Sequence, residues 1–290
     1  MNINLLSPAE VKRILAAHGL RPKKRFGQNF LIDRNILNKI LDAAELDSDS
    51  VVLEIGPGLG TVTKEAAEVA SKVVAVEADR DLIPVLDEII GGYPNTEVLC
   101  ADFLDLDLEP FIKDRFGERR ITVVANLPYY ITSPLIIKLL DAKHLINRMV
   151  IMVQEEVADR LSANPGTEGY GSLSVFVQYH CIVSIVSRAK RTVFYPSPEV
   201  DSAIVRLDVR ESPVIKTADE ELFFKIVRAS FGQRRKTLLK ALSGSPDLGW
   251  SREKAEKALN KAGIDPSRRG ETLSLEEFAA ITKAAVDNQV

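Results

Sequence analysis

Two cysteines, three histidines and no long apolar run are the scarcities that first bound this 290-residue chain. A membrane-spanning helix needs about 18 consecutive apolar residues, and no such run is present. The N-terminus lacks the charged start, apolar middle and small-residue cleavage site of a secretory signal. Cys100 and Cys181 both sit in apolar, strand-like runs. They read as buried free thiols, not as a disulfide. With so few histidines and no His/Cys spacing pattern, no metal site is expected. A monomer in a reducing, cytoplasmic setting follows as the expectation. The length favours one large domain and one small one.

An excess of one charge is also missing. The net charge is −3, which excludes a chain that binds polyanions with its whole surface. Charge is unevenly spread, however. Residues 21–25 read Arg-Pro-Lys-Lys-Arg, residues 188–191 read Arg-Ala-Lys-Arg, and Lys225 to Lys240 holds six basic residues and no acidic one. Local patches govern phosphate docking more than net charge does. A charge run is also the ordinary dress of a solvated face, so these patches alone decide nothing.

Apolar runs are short but regular. Ser7-Pro8-Ala9-Glu10 predicts a helix start with a capping box. Asp33 is placed to cap a second helix with Ile36, Leu37, Ile40 and Leu41 on one face. Strand-like runs follow at Val51–Ile55, Val73–Val76, Glu97–Cys100, Ile121–Ala125 and Met149–Val153, with helical stretches between them. Such alternation predicts a parallel sheet covered by helices on both faces. Ser172–Val186, Ala189–Phe194 and Ala203–Val209 read as further strands without intervening helices, hence antiparallel additions. Residues from 218 onward read as all helix. The predicted architecture is α/β, a Rossmann-like, mostly parallel sheet with antiparallel late strands, plus a small all-helical C-terminal domain. The boundary is placed between residues 210 and 211.

The first strand of the sheet runs into Gly56-Pro57-Gly58-Leu59-Gly60. Glycines there allow close backbone approach to a nucleotide-like ligand. The spacing differs from the dinucleotide fingerprint G-x-G-x-x-G, and no P-loop motif is present. Glu77 ends the second strand, where a carboxylate can accept both hydroxyls of a ribose. Asp102 ends the third, where a carboxylate can accept an adenine amino hydrogen. Glu54, just before the loop, is placed to face a cationic methionine part. Singly, each acid is equally a cap or a surface charge. Together with the loop they point to S-adenosylmethionine.

Asn126-Leu127-Pro128-Tyr129 follows the fourth strand. Adenine N6 is a poor nucleophile, because its lone pair is delocalised into the ring. A sulfonium methyl donor needs no covalent intermediate, so the protein has only to position N6 and accept its hydrogens. The Asn126 side-chain oxygen and the Pro128 carbonyl suit that task and would stabilise charge developing on N6. Pro128 fixes the turn and restricts Leu127, and Tyr129 offers a flat face to a base. Phe194, in Phe194-Tyr195-Pro196-Ser197-Pro198, is placed to stack on a flipped base or to fill a core beside a tight turn.

Five motifs together carry a resemblance: residues 24–31 (Lys-Arg-Phe-Gly-Gln-Asn-Phe-Leu), 54–58 (Glu-Ile-Gly-Pro-Gly), 126–129, 194–202 and 231–237 (Phe-Gly-Gln-Arg-Arg-Lys-Thr). The chain resembles the ribosomal RNA adenine N6,N6-dimethyltransferases, in particular their bacterial small-subunit branch, from about Lys23 to the helical C-terminus. The resemblance implies that Asn29, Leu31, Gly56, Glu77, Asp102 and Asn126 contact S-adenosylmethionine, with Glu54 and Gly58 beside them from the reading of the loop. It implies that Asn126, Pro128, Tyr129 and Phe194 hold the target adenine. It further implies dimethylation of two adjacent adenosines in the 3′-terminal hairpin loop of 16S rRNA within the immature small subunit, an activity whose loss is associated with kasugamycin resistance. Lys23, Lys24, Arg25, Arg234, Arg235 and Lys236 would dock on rRNA phosphates.

Three competitors remain at this point: a large-subunit rRNA adenine methyltransferase of the macrolide-resistance type, a nicotinamide oxidoreductase, and a non-catalytic ribosome assembly factor that keeps the fold. The glycine spacing and residues 126–129 argue against the oxidoreductase.

Overall fold

Residues 3–126, 131–233 and 235–287 are described in the computed structural model of the chain. Its strands are β1 Phe30–Leu31, β2 Val51–Ile55, β3 Lys72–Glu77, β4 Thr96–Cys100, β5 Ile121–Asn126, β6 Ile146–Gln154, β7 Cys181–Ala189, β8 Phe194–Tyr195 and β9 Ser202–Val209. Seven of them form one sheet in the order β4-β3-β2-β5-β6-β9-β7. Neighbours from β4 through β6 are parallel, and β9 runs antiparallel to β6. The expected mostly parallel sheet with antiparallel late strands is thus present. β2 is buried throughout, as an apolar run covered on both faces must be. β4 is the sheet's edge, and its residues are only partly covered. Cys100 is therefore exposed, against the expectation of a buried thiol, whereas Cys181 is buried.

Strand order reverses between β2 and β5. The chain moves outward from β2 to β3 and β4, then returns to add β5 and β6 on the other side. Ligands of open α/β sheets bind at the carboxyl ends of strands beside such a switch. Register places Ile55 against Ala125, so the turn after β2 and the residue ending β5 emerge side by side.

Local signals explain most helices. Asp33 accepts from the Ile36 amide at 3.0 Å and starts the helix Arg34–Ala44. Ser7 accepts from the Glu10 amide, but the predicted capping box is not completed. The Glu10 carboxylate pairs instead with Arg13 one turn on, at 2.7 Å. Ser274 and Glu277 do form a full capping box at the helix Leu275–Val286. Among the described residues, no helix is long and apolar enough to cross a membrane.

Two compact units result: Met1–Ala158 with Ile182–Val209, and Asp159–Cys181 with Arg210–Val290. The second unit is larger than the predicted C-terminal domain, because it recruits residues 159–181. The expected strand over its last part is also a correction. Residues Ser172–His180 are helical, and β7 begins only at Cys181. β-Branched and aromatic residues give this stretch a strand's composition. Tertiary bonds override it: Ser174 donates its hydroxyl to the Arg160 carbonyl, and Gln178 donates to the Leu161 and Ala163 carbonyls. Val175 and Tyr179 then pack into the helical core with Phe223, Leu242, Trp250 and Phe278. Arg235 and Lys236 are exposed in the turn between the helices Glu220–Phe231 and Leu238–Ser243, not on a helix as expected.

Candidate active site

A cleft opens at the carboxyl ends of β2, β3, β4 and β5. Every residue expected at the cofactor lines it: Asn29, Leu31, Glu54, Gly56, Gly58, Glu77, Asp102 and Asn126. One wall is the turn after β2. Gly56, Gly58 and Gly60 all have positive φ, at 70°, 61° and 83°, a region that costs a residue with a Cβ about 1–2 kcal/mol. Space is limiting too, since a Cβ on Gly58 would lie 3.1 Å from the Phe30 ring. The loop is therefore bare backbone pressed against an aromatic wall.

Glu77 ends β3 almost wholly buried, at 6% exposure. Its Oε1 accepts from the Asp79 amide at 2.8 Å and its Oε2 from the Gly58 amide at 3.2 Å. Burial pushes its carboxyl up to about 7, against the pull of those amides, and the Asp79 charge adds to the rise. Glu54 is likewise buried and accepts from the Thr63 hydroxyl at 2.5 Å. Burial raises it to about 7 as well; the Thr63 bond opposes the shift and the Glu77 charge reinforces it. Two buried carboxyls poised near neutrality favour a ligand that brings hydroxyl donors and positive charge. Asp102 is exposed at the end of β4, with Oδ1 accepting from the Leu104 amide at 2.9 Å. It caps a short turn and lines the cleft at once.

Asn126 closes β5. Its Nδ2 donates to the Asn29 backbone carbonyl at 3.0 Å. A carbonyl can only accept, so the amide orientation is fixed. The Oδ1 acceptor is left without a hydrogen bond among the described residues. Leu127, Pro128 and Tyr129 lie outside the described residues, as does Arg234.

Phe194 is placed differently from a base-stacking side chain. It is 3% exposed, paired with Leu31 across the β1–β8 bridge, and packed in an apolar cluster with Ile40 and Ile204. Of the basic residues at 23–25, Lys24 and Arg25 are exposed, with the Arg25 guanidinium 4.7 Å from the Phe26 ring centre. The Lys23 ammonium is engaged with Asp79 and Asp81.

Sequence reasoning passed over Thr63, Gln28 and Asp79. Thr63 follows the glycine loop by three residues and Asp79 follows Glu77 by two, so proximity to called residues was a signal. Nothing local links Gln28 to Asp79, which lie 51 residues apart.

The family model described as ribosomal RNA adenine dimethylase matches residues 19–286. The ribosomal RNA small subunit methyltransferase A of Geobacillus thermodenitrificans is 49% identical over 98% of both chains. Its namesake from Pelotomaculum thermopropionicum is 50% identical, again over 98% of both. Among solved structures, a dimethyladenosine transferase from Plasmodium falciparum matches with a TM-score of 0.77 and 28% identity, over 90% of this chain and 98% of that one. The 23S rRNA methyltransferase ErmE matches with a TM-score of 0.68 and 31% identity, over 89% and 100%.

Proposed function

The chain belongs to the ribosomal RNA adenine dimethylase family, and on that premise we propose that it dimethylates N6 of two adjacent adenosines in the 3′-terminal hairpin loop of 16S rRNA, within the immature small subunit. It acts as a cytoplasmic monomer with a part in subunit biogenesis. The small-subunit target is supported by relatives about half identical over nearly the whole chain that carry that name. The observation that carries the chemistry is the Asn126 amide, whose nitrogen is committed to Asn29 and whose oxygen has no hydrogen-bond partner among the described residues.

S-adenosylmethionine, when bound, supplies an electrophilic methyl group on a sulfonium. The cleft's residues fit it: the Gly56–Gly58 backbone would admit it closely, Glu77 would accept from its ribose hydroxyls, and Asp102 would accept from its adenine amino group. Glu54 would counter its positive charge, and Asn29 and Leu31 would complete the wall around it. Asn126 Oδ1 accepts a hydrogen bond from the target N6 and stabilises the charge that grows there. Pro128 contributes its carbonyl, Leu127 the turn and Tyr129 a stacking face, on the strength of the motif. Phe194 backs the adenine on the strength of the motif, its ring steadied by the apolar cluster that includes Ile40 and Ile204. Each transfer leaves N6 with one proton to shed, which passes to solvent, so no side-chain base is required. Lys24 and Arg25 in one unit, and Arg234, Arg235 and Lys236 in the other, supply phosphate contacts that position without reading sequence.

Incubation with labelled S-adenosylmethionine and either undermethylated small subunits or naked large-subunit rRNA tests the proposal. Mass spectrometry should find dimethyladenosine at two adjacent positions in small-subunit rRNA. Label in large-subunit RNA alone would overturn it.

A further inference from the structure

Asp79 stands behind the cleft, not in it, yet its groups hold segments that form the walls. Its amide donates to Glu77 Oε1 at 2.8 Å. Its carboxylate, on a residue only 3% exposed, accepts from Gln28 Nε2 at 2.7 Å and from Lys23 Nζ at 2.6 Å. The other end of the Gln28 amide is fixed as well, because its Oε1 accepts from the Lys23 backbone N–H at 2.8 Å. Only one orientation of that amide satisfies both partners. Lys23 and Gln28 thus clamp the two ends of the short turn Lys24–Phe26, which lacks a side-chain cap of its own. The residue after Gln28 is Asn29, whose carbonyl orients Asn126. A continuous path therefore runs from Glu77 through Asp79, Gln28 and Asn29 to Asn126.

We propose that Asp79 is a positioning residue for methyl transfer: by holding Gln28 and Lys23 it fixes the Asn29 carbonyl, and through it the acceptor oxygen of Asn126. The inference rests on the function proposed above. Buried, charge-assisted hydrogen bonds are the strong ones, and a satisfied network of them specifies one geometry. The same path couples the two ends of the cleft. A shift of Asp79 moves the amide that holds Glu77 and the turn that sets Asn126.

The bridge can be inverted. Asp79→Asn alone sets an amide nitrogen against the Gln28 nitrogen, and Gln28→Glu alone sets a carboxylate against the Asp79 carboxylate. Together they restore a donor to every acceptor, with Glu at 28 accepting from Asn at 79 and from the Lys23 amide. Turnover at saturating S-adenosylmethionine and small subunits should fall about tenfold in each single variant, as misplacement of a reacting group predicts. Backbone hydrogen exchange over residues 23–30 of the free protein should quicken in parallel. The double variant should recover both readouts to within about threefold of the unaltered protein. Single variants that exchange and turn over normally would overturn the proposal. So would faster exchange with unchanged turnover, or a double variant no better than the worse single one. Inactivity of the unaltered protein on small subunits would count against the functional reading instead, and the exchange arm would still decide whether the bridge holds the segment.

Discussion

The side-chain nitrogen of Asn126 donates to the backbone carbonyl of Asn29 at 3.0 Å, across 97 residues of sequence. The bond decides which end of the Asn126 amide can serve a substrate. Asn126→Asp keeps the size of the side chain but sets an oxygen against that carbonyl. Single-turnover methylation should fall about 100-fold or more, the scale for losing one preorganised polar contact at a reacting centre. Asn126→Ala should abolish transfer. Binding of small subunits, measured by filter retention, should remain close to normal in both, because the basic residues proposed to meet phosphates lie elsewhere in the sequence. Normal turnover in either variant would refute the assigned role.

Cofactor affinity should depend on pH through Glu77. Its carboxyl is raised to about 7 in the free protein, and ribose hydroxyls donate to the ionised form. Binding therefore favours proton release. The affinity for S-adenosylhomocysteine should rise about tenfold between roughly pH 6 and 8, then level off. Calorimetry in buffers of different ionisation enthalpy would show the released proton. A flat profile would remove Glu77 from the ribose.

The free protein should show the reverse trend in stability. With Glu54 and Glu77 both raised to about 7, the folded state keeps protons that the unfolded chain has already lost. Their contribution is present in full below about pH 4.5 and is lost as pH rises through about 7. The double variant Glu54→Gln, Glu77→Gln should flatten the fall in Tm over that window. An unchanged slope would show that these carboxyls do not titrate there.

Gly58→Ala combines a positive φ of 61° with a Cβ placed 3.1 Å from the Phe30 ring. It should cost about 1–2 kcal/mol in stability from the backbone alone. S-adenosylhomocysteine affinity should drop as well, because the loop must shift to relieve the contact. Denaturant unfolding and equilibrium binding would report the two effects separately. Full retention of both would contradict the close packing.

Arg235 and Lys236 are exposed in a turn. Reversing both charges should weaken small-subunit binding and reduce the log–log salt slope by about 1.5, if each meets one phosphate of single-stranded RNA. A slope unchanged by the reversal would place the docking surface elsewhere.

The sheet and the cleft could be read from sequence because their signals are local. Val51–Ile55 and Ile121–Ala125 are apolar runs, and the glycines at 56, 58 and 60 mark a turn only such residues adopt readily. Glu77 and Asp102 stand at strand ends, so their placement follows from the strands. Failures occurred where distant partners set the outcome. Ser172–His180 has a strand's composition and becomes a helix through bonds to residues 160–163. Cys100 is exposed because β4 is an edge, which depends on strand order and not on the residues of β4. Phe194 reads from sequence as either a stacking ring or a core ring, and the distant partner Leu31 is one of the residues it is buried with. The Gln28–Asp79 contact has no sequence signature at all.

That pairing of β1 with β8, Phe30 with Tyr195 and Leu31 with Phe194, has a consequence for how the protein is made. The strand next to Asn29 leaves the ribosome early, and the one strand that pairs with it among the described residues emerges after most of the sheet has been synthesised. A nascent chain can therefore complete β2 to β6, with Asp79 already in place to hold Gln28, before β1 gains its strand partner. The β1–β8 ladder is thus among the last parts of this wall to be set, and residues 30 and 31 rest on side-chain packing until it forms.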